Sequence, residues 1–470
     1  MKATVALRGR GQLAAILNQV LQVARQATAW HEPDARNMRT LRQLILAVLV
    51  KRSTRLIVLA QAIAPWRRAN TVKSVAMGLA YFLDEAKISM GSLSRYLLEG
   101  ILRLIPAERM ATYAGKAIVV IDPTEYQKRS RGKGKGDNYM QYIGRVRKSH
   151  SKRRRKKKAG GNGRTKARAP SSASGQREKT ETTTGYVDVW AGLVLKGKQF
   201  LPLARQLFSS KHPKLKSQNK VEEAVLFQAL GMLKRTGLVA IVVGDKGLGR
   251  KELMVRLFRA GQDFVLRIDA DINVWPDRAQ VEINLAALLQ QQPWVGEVIL
   301  DRGEEGKLRC NARVVTATIR FSRSGRKNDY EQARLNFVEL VPLEGFDETL
   351  VVATTLPVAT LVEAKGVARV YSWRWSVESG FETMKGWGLG RFMVRSWKAI
   401  ERLLWIVALA YSLMTLAQYD AKLTRLREQA IALIKQMAAL GRRLTVGKMA
   451  EAMSLDFAKH QRAWKTAWLT

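Results

Sequence analysis

Cysteine is almost missing from this chain of 470 residues: Cys310 stands alone. A single thiol excludes an intrachain disulfide framework and a cysteine-based zinc site, and it fits a reducing compartment. Histidine is nearly as scarce. His31, His150, His212 and His460 are scattered and show no metal-ligand spacing. No apolar run reaches about 18 residues free of charge, the length that marks a membrane-spanning helix, so none is expected. The N-terminus lacks the charged-then-apolar pattern and cleavage site of a signal peptide. Acidic residues are the last deficit: 39 Asp and Glu face 81 Lys and Arg, leaving a formal charge of +42 and a pI near 10.7. An excess of that size points to a polyanion, nucleic acid before an anionic membrane.

What is present allows a sizeable core, with 47% hydrophobic residues, and a length suited to two or three domains. Residues 1–115 read as helical. Apolar residues recur at three and four in 13–23, 41–50, 56–63 and 72–83, punctuated by Arg52, Arg55, Arg67, Arg68 and Lys73, with Pro65 and Pro106 as breaks. This fits a DNA-binding helical domain; a plain bundle with a solvated basic face is the blander reading. Residues 127–182 differ. From Lys128 to Arg168 there are 18 Lys or Arg against one acid, Asp137, including the run Arg153, Arg154, Arg155, Lys156, Lys157, Lys158. Such a composition builds no packed core, so disorder is expected, and a polybasic arm binds phosphate without sequence preference.

Order resumes after 183. Strands are expected over 184–195 and 200–208, turning at Lys196-Gly197-Lys198, then a helix over 221–235. A strand leading to Asp245, a helix over 251–260 and a strand over 263–268 follow. A strand carrying Asp122 precedes all of these, and a helix over 362–386 closes the series. That is the order of a ribonuclease-H-like α/β domain, over 116–268 and 349–415. Period-two alternation in 269–348, with Trp275 and Trp294, predicts an inserted β-rich subdomain. The region after 388 reads as helical again, with apolar 400–416 as core; the C-terminal region 416–470 is helical too, with a basic amphipathic pattern over 423–440.

Four residues carry most of the chemistry: Tyr371, Arg374, Glu378 and Lys385. On an ideal helix turning about 100° per residue they fall within an arc of roughly 60°. One face then holds a carboxylate flanked by two cations and a phenol, a mixture suited to a divalent metal and to phosphate. Asp122 ends the run Ala117-Ile118-Val119-Val120-Ile121, and Asp245 follows Val242-Val243-Gly244. Both runs read as buried strands with an acid at the end. Two strand-end carboxylates and one helix carboxylate can hold two Mg²⁺ ions about 3.5–4 Å apart. The blander readings are turn caps for Asp122 and Asp245, and a solvated helical pair for Glu378 with Arg374. Glu125 and Glu382 are nearby acids outside the pattern.

The spacing Tyr371-x2-Arg374-x3-Glu378-x6-Lys385 resembles the Tyr-Arg-Glu-Lys signature of one branch of bacterial insertion-sequence transposases of the DDE class. Ile121-Asp122 resembles the first-acid strand and Val243-Gly244-Asp245-Lys246-Gly247 the second-acid turn. The resemblance covers roughly 110–415, with the polybasic insertion as a departure. It implies Asp122, Asp245 and Glu378 as catalytic ligands of two Mg²⁺ ions, with Mn²⁺ able to substitute. It implies phosphate contacts from Tyr371, Arg374 and Lys385, and base stacking as a role open to Trp275 and Trp294. The substrate would be double-stranded DNA, both terminal inverted repeats and target, handled by a homodimer in a prokaryotic cytoplasm with no membrane partner. Two other readings compete: a catalytically dead DNA-binding derivative, and a ribonuclease-H-like nuclease that cuts without joining.

Overall fold

The computed structural model describes residues 17–23, 34–66, 71–128, 140–147, 182–277, 281–322, 330–344, 348–419, and 446, 447, 450 and 454. Most of the polybasic arm, Arg153 to Lys158 included, and the segment 423–440 lie outside them. Within 127–182 the short stretch 140–147 is ordered: Gly144–Arg147 forms a strand on the start of a longer one. Alternating burial of Gly144 and Val146 explains why these four residues depart from the expected disorder.

The N-terminal helices are α1 (Ala35–Lys51), α2 (Leu56–Ile63), α3 (Val72–Asp84) and α4 (Met90–Leu104). After them come the strands β1 (Thr112–Tyr113), β2 (Lys116–Gln127), β3 (Gly144–Arg147), β4 (Thr182–Leu195) and β5 (Gln199–Phe208). Helix α5 (Gln218–Arg235) leads to β6 (Ala240–Gly244), and α6 (Lys251–Arg259) to β7 (Asp263–Ile268). The β-branched residues of β2 and β6 are buried throughout Ala117–Ile121 and Ala240–Gly244, as expected of strands covered on both faces. β2 pairs in parallel with β6, and β6 with β7, while β4 runs antiparallel between β2 and β5. The five strands lie in the order β5-β4-β2-β6-β7. This mixed α/β sheet is compatible with a ribonuclease-H-like transposase domain.

Residues 269–348 continue that sheet. Strands β8 (Asn273–Pro276), β9 (Ile283–Asn284), helix α7 (Leu285–Gln290), β10 (Trp294–Asp301), β11 (Lys307–Phe321) and β12 (Glu331–Pro342) follow in sequence. They join it through β13 (Leu350–Thr354), which pairs antiparallel with both β12 and β7.

Helices α8 (Leu361–Ser372), α9 (Ser376–Gly386) and α10 (Trp397–Ala417) complete the described fold. α10 is long and apolar enough to cross a membrane, yet nearly all of it is buried among other elements. It packs on α1, α3 and α4. Arg402 makes the tie: its guanidinium donates to the carbonyls of Phe82 (2.9 Å), Leu83 (3.0 Å), Ala86 (2.7 Å) and Ile88 (2.9 Å). These carbonyls lie at and beyond the end of α3, where backbone acceptors have no partner within the helix.

Candidate active site

Asp122 lies mid-strand, not at a strand end, because β2 runs on to Gln127 on the strength of its pairing with β4. The strand-end logic survives on the other side. β6 makes its last pairing between Gly244 and Ile121, so Asp122 is the first residue of β2 with no neighbour there. Asp245 follows Gly244 directly and opens the 3₁₀ turn Lys246–Leu248. Gly244 packs closely: a Cβ there would sit 2.7 Å from Leu248 Cδ1 and 3.0 Å from Leu266 Cδ2, so those leucine ends would have to move.

The expected single helix over 362–386 is interrupted. A capping box from Thr360 and Glu363 starts α8, and a 3₁₀ turn, Trp373–Trp375, separates it from α9. The Ser372 hydroxyl donates to the Ala368 carbonyl (2.8 Å) and that of Ser376 to the Trp373 carbonyl (2.7 Å). Such side-chain bonds to backbone carbonyls accompany helix bends.

The break does not scatter the residues. Tyr371 Oη donates to Asp245 Oδ1 at 3.4 Å. Arg374 Nη1 lies 3.7 Å from Asp245 Oδ2, and Nη2 lies 3.0 Å from Glu378 Oε1. The Arg374 side chain is 13% exposed and that of Glu378 49%, so the pair has its cation buried and its carboxylate turned half to solvent. Trp375 stacks beside it, its ring centroid 4.6 Å from the guanidinium carbon, and meets Tyr371 edge-on.

The electrostatics tie these groups to Asp122. Burial pushes the Asp122 carboxyl up to about 7; Arg374 and Lys385 oppose the rise, and repulsion from Asp245 and Glu378 adds to it. Glu378 is also raised, by burial first, against the pull of Arg374. Burial works against the charge of Arg374, yet Tyr371, Asp245, Asp122 and Glu378 together hold its pKa above the ordinary value. Lys385 is lowered by burial while Asp122, Glu125 and Glu382 pull the other way. The Tyr371 phenol is raised by burial and by Asp245.

An open cleft of about 1620 Å³ runs past Asp122, Glu125, Glu378 and Lys385. It is also lined by Lys198, from the β4–β5 turn, by Asp301 at the end of β10 and by Glu305 in the turn that follows; Glu305 adds to the rise of Glu378. Lys198 Nζ is 2.6 Å from Asp301 Oδ1, joining the two turns.

A model of the transposase DDE domain family matches residues 211–413. The match supports a DDE transposase. It covers less than half of the chain and takes in Asp245, Tyr371, Arg374, Glu378 and Lys385, with Asp122 outside it. No curated protein matches the chain.

Among the described residues, no three acidic, His or Cys side chains are gathered closely enough to hold one metal ion. The donor set still fits a divalent cation in kind, since Asp122 and Glu378 line one cleft and Asp245 lies beside Arg374, which pairs with Glu378, and hard divalent ions take carboxylate oxygens. Trp275 and Trp294 are not brought to the cleft. Trp294 begins β10 while Asp301 ends it, roughly 23 Å away at about 3.3 Å per residue. Trp275 pairs with Thr318, farther still along β11 from the cleft-side end at Lys307. Each indole lies under an arginine instead, Arg313 at 3.7 Å from Trp294 and Arg320 at 4.4 Å from Trp275.

Sequence reasoning missed Arg267, whose Nη1 is 3.7 Å from Asp245 Oδ1 and which also pairs with Glu348. Its signal was a lone cation inside the apolar strand β7. Lys198, Asp301 and Glu305 carried no signal, because only folding brings their turns together. Trp375 lay inside the four-residue signature and was passed over.

Proposed function

We propose that this chain is a DDE transposase of the Tyr-Arg-Glu-Lys branch, cutting DNA at transposon ends and joining the freed 3′-hydroxyl to target DNA. The observation that carries the reading is the convergence of Asp245, Tyr371, Arg374 and Glu378 beside a cleft lined by Asp122 and Lys385. Arg374 and Glu378 meet as helical neighbours at i,i+4, but Asp245 comes from the β6 end and Asp122 from β2, so tertiary folding is what brings the acids to one cleft. Asp122, Asp245 and Glu378 would hold Mg²⁺, or Mn²⁺ in its place. Bound there, the metal supplies charge neutralisation and Lewis acidity at the scissile phosphate.

The chain's own residues supply position. Arg374 offers a planar fork suited to a phosphate, and Lys385 adds a point charge farther along α9. Tyr371 fixes one oxygen of Asp245. In-line displacement at a phosphodiester asks for orientation and fixed charge, with no protein nucleophile. In this reading residues 269–348 are the branch's inserted β-subdomain, residues 1–115 contact DNA, and the polybasic arm adds sequence-independent affinity. A homodimer holds the two ends, in the cytoplasm of a prokaryotic host.

A strand-transfer assay tests it. The full chain, given DNA carrying candidate terminal repeats with pre-cut 3′-hydroxyls and Mg²⁺, should produce joined products with a target plasmid. Uncut repeat DNA is run in parallel: cleavage of it with no joined product from either substrate would favour a nuclease, and binding with neither would favour a DNA-binding derivative.

A further inference from the structure

Two of the three carboxylates, Asp245 and Glu378, flank Arg374 directly. One guanidinium nitrogen reaches Glu378 at 3.0 Å and another faces Asp245 at 3.7 Å, while the charge of Arg374 is felt at Asp122. No trio of ligating side chains is gathered for a metal among the described residues. Arg374 is thus a cation that the chain itself places between Asp245 and Glu378. Its seat is incomplete, however. Arg374 Nε is buried and has no hydrogen-bond partner, and a buried donor left unsatisfied is costly. Two carboxylates each taking one terminal nitrogen cannot use it. A phosphate can, because two of its oxygens accept from Nε and one Nη in the parallel fork geometry that guanidinium favours.

From this we propose that Arg374 is a built-in counter-ion that keeps the carboxylates closed to metal until a DNA phosphate draws it away, so that metal and DNA bind cooperatively. The inference rests on the assignment of Asp122, Asp245 and Glu378 as the metal-holding groups. It adds an order to binding: a phosphate satisfies Arg374, its departure takes the ion pair from Glu378 and one of two cations from Asp245, where Arg267 remains, and the acids then recruit a divalent ion. A ligand shifts an equilibrium only through its differential affinity for the two states. Here the difference is the exchange of two monodentate carboxylate contacts for one bidentate phosphate contact. Linkage makes the effect reciprocal, so metal must tighten DNA binding by the factor by which DNA tightens metal binding.

The test is Mn²⁺ binding to the full chain, followed by electron paramagnetic resonance of the free ion, with and without a short DNA duplex. The signal from duplex alone is subtracted. Wild-type protein should bind Mn²⁺ about 10-fold or more tightly with duplex present, within the roughly 5–150-fold range typical of coupled sites. Arg374→Ala should bind Mn²⁺ tightly without DNA and lose most of the coupling. Arg374→Gln, checked by thermal melting, serves if the alanine variant is misfolded. Equal Mn²⁺ affinity of the wild type with and without duplex overturns the proposal, as does an Arg374 variant whose DNA-free affinity is unchanged. Asp245→Asn separates the two levels: if it keeps full Mn²⁺ binding, the carboxylates are not the metal site and the underlying functional reading fails.

Discussion

Asp188 and Arg205 face each other with no exposed side-chain surface on either partner, and their closest approach is 2.6 Å. Tyr126 Oη donates to the same carboxylate at 2.8 Å, and Arg205 reaches the Glu401 carbonyl on α10 at 3.3 Å. Burial pushes the Asp188 carboxyl up even beside its cation, which shows how much desolvation weighs there. Arg205→Ala strands that acid. The loss should be on the order of 3–5 kcal/mol, the range for breaking one side of a buried pair, and a urea titration reads it. Glu297 and Arg309 form the contrast, being largely exposed. Solvent screens such a pair, so removing either partner should leave the urea midpoint essentially unchanged. Cys310 gives a second prediction. It is 1% exposed, and burial pushes its thiol up to about 11. The thiolate is the reactive form, so alkylation of folded protein should stay slow near pH 8 and accelerate only as the pH approaches the raised value. Rapid labelling of the folded protein near pH 8 would contradict this environment.

At the scale of elements, α9 depends on a glycine. A Cβ on Gly380 would come 2.9 Å from Phe200 Cβ on β5, an atom that cannot swing aside. Gly to Ala inside a helix ordinarily gains up to about 1 kcal/mol. Here overpacking should reverse the sign and cost roughly 1–3 kcal/mol, seen as a lower melting temperature for Gly380→Ala. The variant should also cut poorly, since Glu378 rides on the displaced helix. A raised melting temperature would show that α9 does not seat on β5 as described. These elements also show what could be read from residue order. The β-branched runs before Asp122 and Asp245 declared themselves as buried strands because covered strands need little else. The 3–4 periodicity of α5 and α6 did the same. The 3₁₀ break at Trp373–Trp375 escaped, because the serine bonds that accompany it depend on backbone geometry. The extension of β2 past Asp122 escaped as well, since it follows from pairing with β4 and not from local pattern. Tyr371, Arg374 and Glu378 were legible as a spacing. Arg267 and the Lys198–Asp301 link were not, as their partners lie 22 and 103 residues away in sequence.

On the scale of the whole molecule, charge and site are divided. The cleft is lined by acids such as Asp122, Glu125, Glu378 and Glu382, in a chain with a net charge of +42. Lys198, Arg302, Lys385 and Arg391 line it too, but the densest positive charge lies elsewhere: residues 148–168 hold eleven Lys and Arg with no acid, and on the proposed function these supply long-range attraction to DNA. Deleting 148–168 should flatten the plot of log affinity against log salt by about 0.9 for each phosphate that is no longer neutralised; an unchanged slope would show that the arm touches no DNA. The deletion spares β3, so the sheet should be unaffected. One claim is central, that Asp122, Asp245 and Glu378 act as a single unit across three elements. Residues acting as a unit give grossly non-additive losses. The decisive measurement is the rate of Mg²⁺-dependent end cleavage for Asp122→Asn, Asp245→Asn, Glu378→Gln and the triple variant, each with DNA binding checked by gel shift. Every single variant should fall to nearly the rate of the triple while DNA binding persists. A single variant that cleaves at close to the wild-type rate would contradict the shared role of the three acids.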